Sequence, residues 1–201
     1  MKIPRFAAVV LAAGLSSRMK GFKPLLPLGK ATITDHVIST FKSVNVDVIL
    51  VVGYRRDDVI NTIKDKDITV IFNPDYEKEM FSSIQVGVRE VGQRYKGFFI
   101  LPVDIPLVKP STIQSLMKAA QENPGKIIYP THHEKKGHPP LIPTSLIPVI
   151  LGWGKGGGLK AVLQAYEKRV IGVPVDDRYI LVDIDTPDDY QKLLKHMLDQ
   201  K

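Results

Sequence analysis

Residues 6 to 24 read Phe6-Ala7-Ala8-Val9-Val10-Leu11-Ala12-Ala13-Gly14-Leu15-Ser16-Ser17-Arg18-Met19-Lys20-Gly21-Phe22-Lys23-Pro24. Phe6 to Ala12 is a continuous apolar run with two valines. It does not alternate, so both faces are expected to be buried, as in a central strand of a parallel sheet. The run stops at Ala13-Gly14 and turns polar within three residues. Small residues there let the backbone approach a ligand closely, and Gly14 is free to take a positive φ. Ser16, Ser17, Arg18 and Lys23 follow. Successive backbone N–H groups, two hydroxyls and two fixed cations make a chemically sensible cradle for a polyphosphate. No Gly-Lys-Ser/Thr closes the loop, so it is not a Walker A loop. It is not a G-x-G-x-x-G dinucleotide turn either.

Composition places the rest of the chain around this stretch. A length of 201 residues fits one domain with a substantial core. Hydrophobic content of 44% and charged content of 24% are ordinary globular values. There is no cysteine, which excludes a disulfide framework and a thiolate metal site. No apolar run is long enough for a transmembrane helix, and no membrane partner is expected. The N-terminal run reads as a first strand and not as a signal peptide. Net charge is +7, which suits nucleic acid, anionic membranes or phosphorylated small molecules. The charges are scattered, with doublets such as Arg55-Arg56 and Lys135-Lys136, and form no stripe of the kind that binds nucleic acid.

Downstream, Thr34 is expected to cap a helix with Val37, Ile38 and Phe41 on its apolar face. Val46 to Val52 reads as a second buried strand. Asp57 or Asp58 starts a short helix, and Ile68 to Phe72 is a third strand ended by the turn Asn73-Pro74. Ser82 and Ser83 read as caps of the next helix, and a capped helix N-terminus is also an anion site. Phe98 to Leu101 is a fourth buried strand, and Asp104 follows it between two prolines, where open α/β sheets bind ligands. Ser111 caps a helix from Ile113 to Ala120, and Ile127 to Tyr129 is a fifth strand. His132-His133-Glu134 invites a zinc reading, but adjacent histidines point apart and no third ligand has suitable spacing. Thr144 to Leu151 reads as a helix interrupted by Pro148. The glycines from Gly152 to Gly158 make a flexible lid or linker. A helix from Leu159 to Tyr166 and a strand from Val170 to Val173 come next. Ile180 to Ile184 is read as the last strand, leading to a helix capped by Thr186 or Asp185 with Pro187 at its first position. Alternating strands and helices predict a mostly parallel, three-layer α/β sheet with right-handed crossovers.

Leu11-Ala-Ala-Gly-Leu-Ser-Ser-Arg-Met-Lys-Gly-Phe-Lys23 resembles the signature loop of nucleotidyltransferases with a Rossmann-like, GT-A-like fold, the fold of the nucleotide-diphospho-sugar transferases. It is most similar to the molybdenum cofactor cytidylyltransferase and guanylyltransferase family. Lys20 stands where that family usually has Gly, and Gly21 follows; the Arg18-to-Lys23 spacing is kept. Asp104-Ile-Pro106 is similar to the family's Gly-Asp-x-Pro, with Val103 in place of the Gly. Gly137-His138-Pro139 and Asp183-Ile-Asp185-Thr-Pro187 also match family segments.

The resemblance implies one nucleotidyltransferase domain over residues 1–201. It implies that Leu11, Ala12, Ala13, Gly14, Ser16, Ser17, Arg18, Lys23, Ser82 and Ser83 bind CTP or GTP. Asp104 and Asp185 would hold Mg²⁺, and Arg18, Lys23 and Asp104 would be catalytic. His138, Lys155 and Lys160 would face a phosphorylated acceptor of molybdopterin type. Ala13 stands where guanylyl-transferring relatives tend to have Gly, which favours CTP. The implied reaction is attack of a phosphomonoester on the α-phosphorus, with loss of pyrophosphate, in a cytoplasmic enzyme that can hand its product to a molybdoenzyme or maturation factor. Other readings are a cytidylyltransferase acting on a sugar, alcohol or isoprenoid phosphate, and a nucleotide-binding chaperone or sensor without turnover.

Overall fold

The computed structural model describes residues 5–198. Strand β1 (Phe6–Ala12) is buried along its whole length, as its unbroken apolar run requires. A hairpin of β2 (Pro27–Leu28) and β3 (Ala31–Thr32) leads into α1 (Ile33–Lys42). Then come β4 (Asp47–Val52), α2 (Arg56–Thr62), β5 (Thr69–Phe72), α3 (Met80–Val91), β6 (Gly97–Pro102) and α4 (Pro110–Glu122). The chain continues through β7 (Ile127–His132), β8 (Lys135–Lys136), β9 (Leu141–Pro143), α5 (Ile147–Leu151), α6 (Gly158–Ala165), β10 (Val170–Pro174) and α7 (Pro187–Leu198).

The main sheet runs β10-β7-β9-β6-β1-β4-β5, with β8 paired to β7. β1 lies between β4 and β6, parallel to both. The pair β4–β5 and the pair β10–β7 are also parallel, while β9 is antiparallel to β6 and β7. The carboxyl ends of β1, β4 and β6 therefore gather at one edge, where their loops can share a ligand.

Successive β1 residues point to opposite faces and build two cores. Ala8, Val10 and Ala12 pack with Ile33, Val37, Ile38 and Phe41 of α1, Val59 of α2, Ile113 and Leu116 of α4 and Leu193 of α7. Ala7, Val9, Leu11 and Ala13 pack with Ile84, Val88 and Val91 of α3, Ile147 and Ile150 of α5 and Val162 and Leu163 of α6. The result is a three-layer α/β/α arrangement around a mostly parallel sheet. Gly87 lets α3 lie close to it: a Cβ there would come within 2.3 Å of Val9 Cγ1 and 2.8 Å of Val51 Cγ2.

Several local expectations are corrected. Thr32, not Thr34, caps α1, in a reciprocal capping box with Asp35; the Thr34 hydroxyl donates instead to the Pro24 carbonyl. α3 begins at Met80, so Ser82 and Ser83 lie inside its first turn and cap nothing. α4 begins at Pro110, ahead of Ser111. Its first turn is held from a distance: buried Asp177 accepts from the Lys109 N–H and the Thr112 hydroxyl. Ile180 to Ile184 forms no strand; Arg178–Leu181 is a 3₁₀ turn. It is fastened by the Tyr179 N–H to Asp177 and by the Ile180 carbonyl, which accepts from the His138 N–H.

Candidate functional site

The loop after β1 forms one wall of a cleft of roughly 330 Å³. Leu11, Ala12, Ala13, Gly14, Ser16, Ser17, Arg18 and Lys23 all line it. A Cβ added at Gly14 would meet no protein atom within 4 Å, so its backbone faces open space. The left-handed residue of the loop is Ser16, at φ 55, and not Gly14. Ser16 is pinned twice: its carbonyl accepts from the Met19 N–H at 2.9 Å and its hydroxyl oxygen accepts from the Lys23 N–H at 3.0 Å. That second bond closes the loop and delivers Lys23 to the cleft. The end of β4 supports the loop from below, because the Tyr54 N–H donates to the Ala13 carbonyl. Gly53 permits that approach: a Cβ there would lie 2.7 Å from the Ala13 oxygen and 2.4 Å from Tyr76 Cβ.

Lys23 stands between two carboxylates. Its Nζ is 2.8 Å from Asp185 Oδ1 and 3.8 Å from Asp104 Oδ2. Those two oxygens are thus no further apart than the sum of the two distances. Arg18 Nη1 reaches the other oxygen of Asp185 at 2.9 Å. The Lys23 side chain is 12% exposed and that of Arg18 70%. Lys23 is therefore the shielded cation and Arg18 the solvated one. Burial pushes the Asp104 pKa up; Lys23 opposes the shift and Asp185 adds to it. The Asp185 pKa is held down, first by its hydrogen bond from Lys23, which outweighs the cost of burial, and further by the charges of Lys23 and Arg18.

The opposite wall comes from the segment between β5 and α3. Tyr76, Glu77, Lys78, Met80 and Ser83 line the cleft, and Ser82 is not among its lining residues. Buried Asn73 organises this wall. Its side-chain oxygen accepts from the Asp75 N–H, which fixes the amide orientation. Its amide then donates to Ser82 Oγ at 3.0 Å and Ser83 Oγ at 2.8 Å. The Ser82 hydroxyl donates onward to the Asp75 carbonyl. The turn signal at Asn73-Pro74 was legible, but nothing local marked Asn73 as the hub or Tyr76, Lys78 and Met80 as lining residues.

Two further cavities adjoin the cleft. One, of roughly 440 Å³, is lined by His138, Lys160, Tyr129, Phe81, Ile84 and Leu159, among others. The other, of roughly 370 Å³, includes His138, Asp104, Lys136 and Asp183. Met80 and Pro102 belong to all three spaces. His138 opens to solvent at its edge, yet the protein packed around it lowers its pKa, with Asp183 opposing. Lys155 lines neither cavity; its ammonium lies 5.6 Å from the centroid of the Trp153 ring. His132-His133-Glu134 gathers no further ligand: among the described residues no group of three or more His, Cys, Asp or Glu could hold a metal.

A family model described as the MobA-like NTP transferase domain matches residues 8–170. The chain belongs to the MobA-like NTP transferase family. It is similar to the molybdenum cofactor cytidylyltransferase of Escherichia coli (strain K12), at 30% identity over 184 residues, covering 90% of this chain and 92% of that one. Among solved structures it resembles a nucleotidyl transferase from Methanothermobacter, with a TM-score of 0.84, 24% identity and coverage of 98% and 99%. It also resembles molybdopterin-guanine dinucleotide biosynthesis protein A from Archaeoglobus fulgidus, with a TM-score of 0.68, 17% identity and coverage of 96% and 99%. These structures show the shared fold.

As a MobA-like NTP transferase the protein is a nucleotidyltransferase, and its donor set can be tested against a metal. Asp104 and Asp185 offer two carboxylates within 4 Å of one cationic nitrogen. Two carboxylates beside this loop fit Mg²⁺, which takes few protein oxygens and completes its octahedron with other oxygen ligands. They do not fit zinc, which favours nitrogen and sulfur. Among the described residues no helix is long and apolar enough to cross a membrane.

Proposed function

We propose that this MobA-like NTP transferase is a Mg²⁺-dependent cytidylyltransferase, moving CMP from CTP to the phosphomonoester of a molybdopterin-type cofactor with release of pyrophosphate. The observation that carries the reading is Lys23, shielded between Asp104 and Asp185 at the end of a small-residue loop. The relative from Escherichia coli and Ala13 support the choice of CTP and acceptor. We take residues 1–201 as one such domain, since both cores share the same central sheet. A cytoplasmic location follows from a nucleoside triphosphate substrate.

The acceptor needs no base from the protein. A phosphomonoester has a second pKa of about 6 and is mostly dianionic at neutral pH. The task is to bring two anions together in line. Backbone N–H groups of the loop and the Ser17 hydroxyl face the triphosphate, Lys23 and Arg18 neutralise it, and Lys160 and His138 face the acceptor. Asp104 and Asp185 would hold Mg²⁺, which supplies charge neutralisation at the phosphates. Stabilisation by fixed cations is greatest where water is excluded, so Lys23 contributes more than the exposed Arg18.

The test is pyrophosphate release from CTP and Mg²⁺ with a molybdopterin-type phosphomonoester. Release only with a sugar, alcohol or isoprenoid phosphate would replace the acceptor. A melting shift with CTP and Mg²⁺ but no release with any acceptor would leave a nucleotide-binding protein without turnover.

A further inference from the structure

Met80 opens α3 and is 55% exposed. It lines the cleft and both cavities beside it. Met19 and Met117 are partly buried against the core around α1 and α4. On the acceptor side the wall continues as Phe81, Ile84, Ile100 and Leu159. A thioether suits that place because it is flexible and apolar. It is also an oxidisable side chain that is more than half exposed, so peroxide can reach it.

We propose that Met80 is an oxidation site, and that its sulfoxide obstructs the junction between the nucleotide cleft and the cavities for the acceptor. The Met80 sulfur lone pair attacks one peroxide oxygen; an S–O bond forms and the O–O bond breaks. The sulfur loses two electrons, and the peroxide is reduced to one water. The product is polar and chiral where the thioether was apolar. The added oxygen and its hydration shell replace an apolar group on the wall shared with Ile84, Ile100 and Leu159 and take up space in the passage that the three spaces share. Transfer then slows, while the loop of Ser16, Ser17 and Lys23 still holds the triphosphate. Sulfoxide reduction by a methionine sulfoxide reductase with a thiol reverses the change.

This inference rests on the cleft taking the triphosphate and its neighbours the acceptor. The experiment treats the whole protein and Met80→Leu with hydrogen peroxide and compares each with its own untreated state. Peptide mass mapping reads oxidation at each methionine. The rate is pyrophosphate release with CTP, Mg²⁺ and acceptor, and binding is the melting shift with CTP and Mg²⁺. The expected result is that Met80 oxidises before Met19 and Met117 and that wild type loses at least about tenfold in rate. Its melting shift persists, Met80→Leu keeps its own rate, and the reductase restores wild type. Oxidation of Met80 without loss of rate, or equal loss in Met80→Leu, overturns the proposal. Absence of any CTP-dependent shift in untreated protein would refute the nucleotide reading itself, and this inference with it.

Discussion

The Ile184 N–H donates to the carbonyl of Asp104 at 2.8 Å. This bond joins the loop after β6 to the stretch before α7, and it places Asp185 beside Asp104 although the two are distant in sequence. Asp185 is also free of capping duty. The Thr186 hydroxyl accepts from the Asp189 N–H, and Asp189 accepts from the Thr186 N–H and hydroxyl. The helix start is thus held by Thr186 and Asp189, leaving Asp185 to Lys23 and Arg18.

Asp104→Asn should abolish transfer while raising stability at neutral pH. The Asp104 pKa is raised by burial, so ionising it costs the folded state free energy. A raised carboxylate pKa gives a penalty that is full above the folded value and gone below the unfolded value of about 3.9. The variant should therefore melt above wild type at pH 7 and lose that advantage as the pH falls toward 4. Thermal melts of both proteins across this range check it; a variant less stable at pH 7 would show that the contact with Lys23 outweighs desolvation.

Asp185→Asn should impair transfer and behave oppositely toward pH. The Asp185 pKa is depressed, so its contribution is present above its unfolded value and lost as the pH falls through the folded one. Wild type should exceed the variant in melting temperature at pH 7 and converge with it in acid. Thr186→Ala, in contrast, should cost about 1 kcal/mol of stability by loss of the cap and leave the transfer rate nearly unchanged.

Lys23→Ala should lower transfer efficiency by about 2–4 kcal/mol, because its charge is shielded and lies within reach of both carboxylates. Arg18→Ala should cost less and depend more on salt, since a 70% exposed guanidinium is screened. Kinetics at two ionic strengths separate them; wild-type rates in Lys23→Ala would remove the loop from the site.

Much of this architecture was readable because it is written in local pattern. The unbroken run from Phe6 to Ala12 can only be a doubly buried strand, and the small residues after it mark the loop. Thr32 and Asp35 carry a capping-box spacing that could have been preferred to Thr34. What was illegible depends on long-range partners. Asp177 holds the start of α4 from 68 positions away, so Ser111 looked like the cap. Ile180 to Ile184 is rich in β-branched residues, yet its backbone hydrogen bonds go to the local turn at Asp177 and Tyr179 and, at long range, to His138 and Asp104, and not to a neighbouring strand. Lys155, placed with the acceptor by the resemblance of its Gly-rich basic segment, lies over the Trp153 ring and lines none of the three spaces.

CTP should be preferred to GTP by at least about tenfold, roughly 1.4 kcal/mol. Ala13 is 3% exposed, and its carbonyl already accepts from Tyr54, so the wall at this point is fixed. Competition between the two triphosphates in the pyrophosphate assay measures the ratio. Equal use of both, or a preference for GTP, would refute the reading of Ala13.

Asn73 offers a way to separate stability from nucleotide binding. Its amide gives hydrogen bonds to both Ser82 and Ser83, so each serine oxygen accepts and each must donate elsewhere. The Ser82 hydrogen goes to the Asp75 carbonyl. The Ser83 hydroxyl finds no acceptor among the described residues and lines the cleft, so its hydrogen is available to a ligand. Asn73→Ala strands the Asp75 N–H and both serines, which should cost about 1–3 kcal/mol. Asn73→Asp keeps the acceptor for Asp75 but removes the donors, and the serine hydroxyls can rotate to donate to the new carboxylate. That variant should lose less stability than Asn73→Ala. It should still bind CTP more weakly, because the Ser83 hydrogen is drawn away from the cleft and a negative charge is added behind it. Melting curves with and without CTP and Mg²⁺ read both quantities at once. If Asn73→Asp keeps the full CTP-dependent shift, Ser83 does not donate to the nucleotide, and Asn73 serves the fold alone.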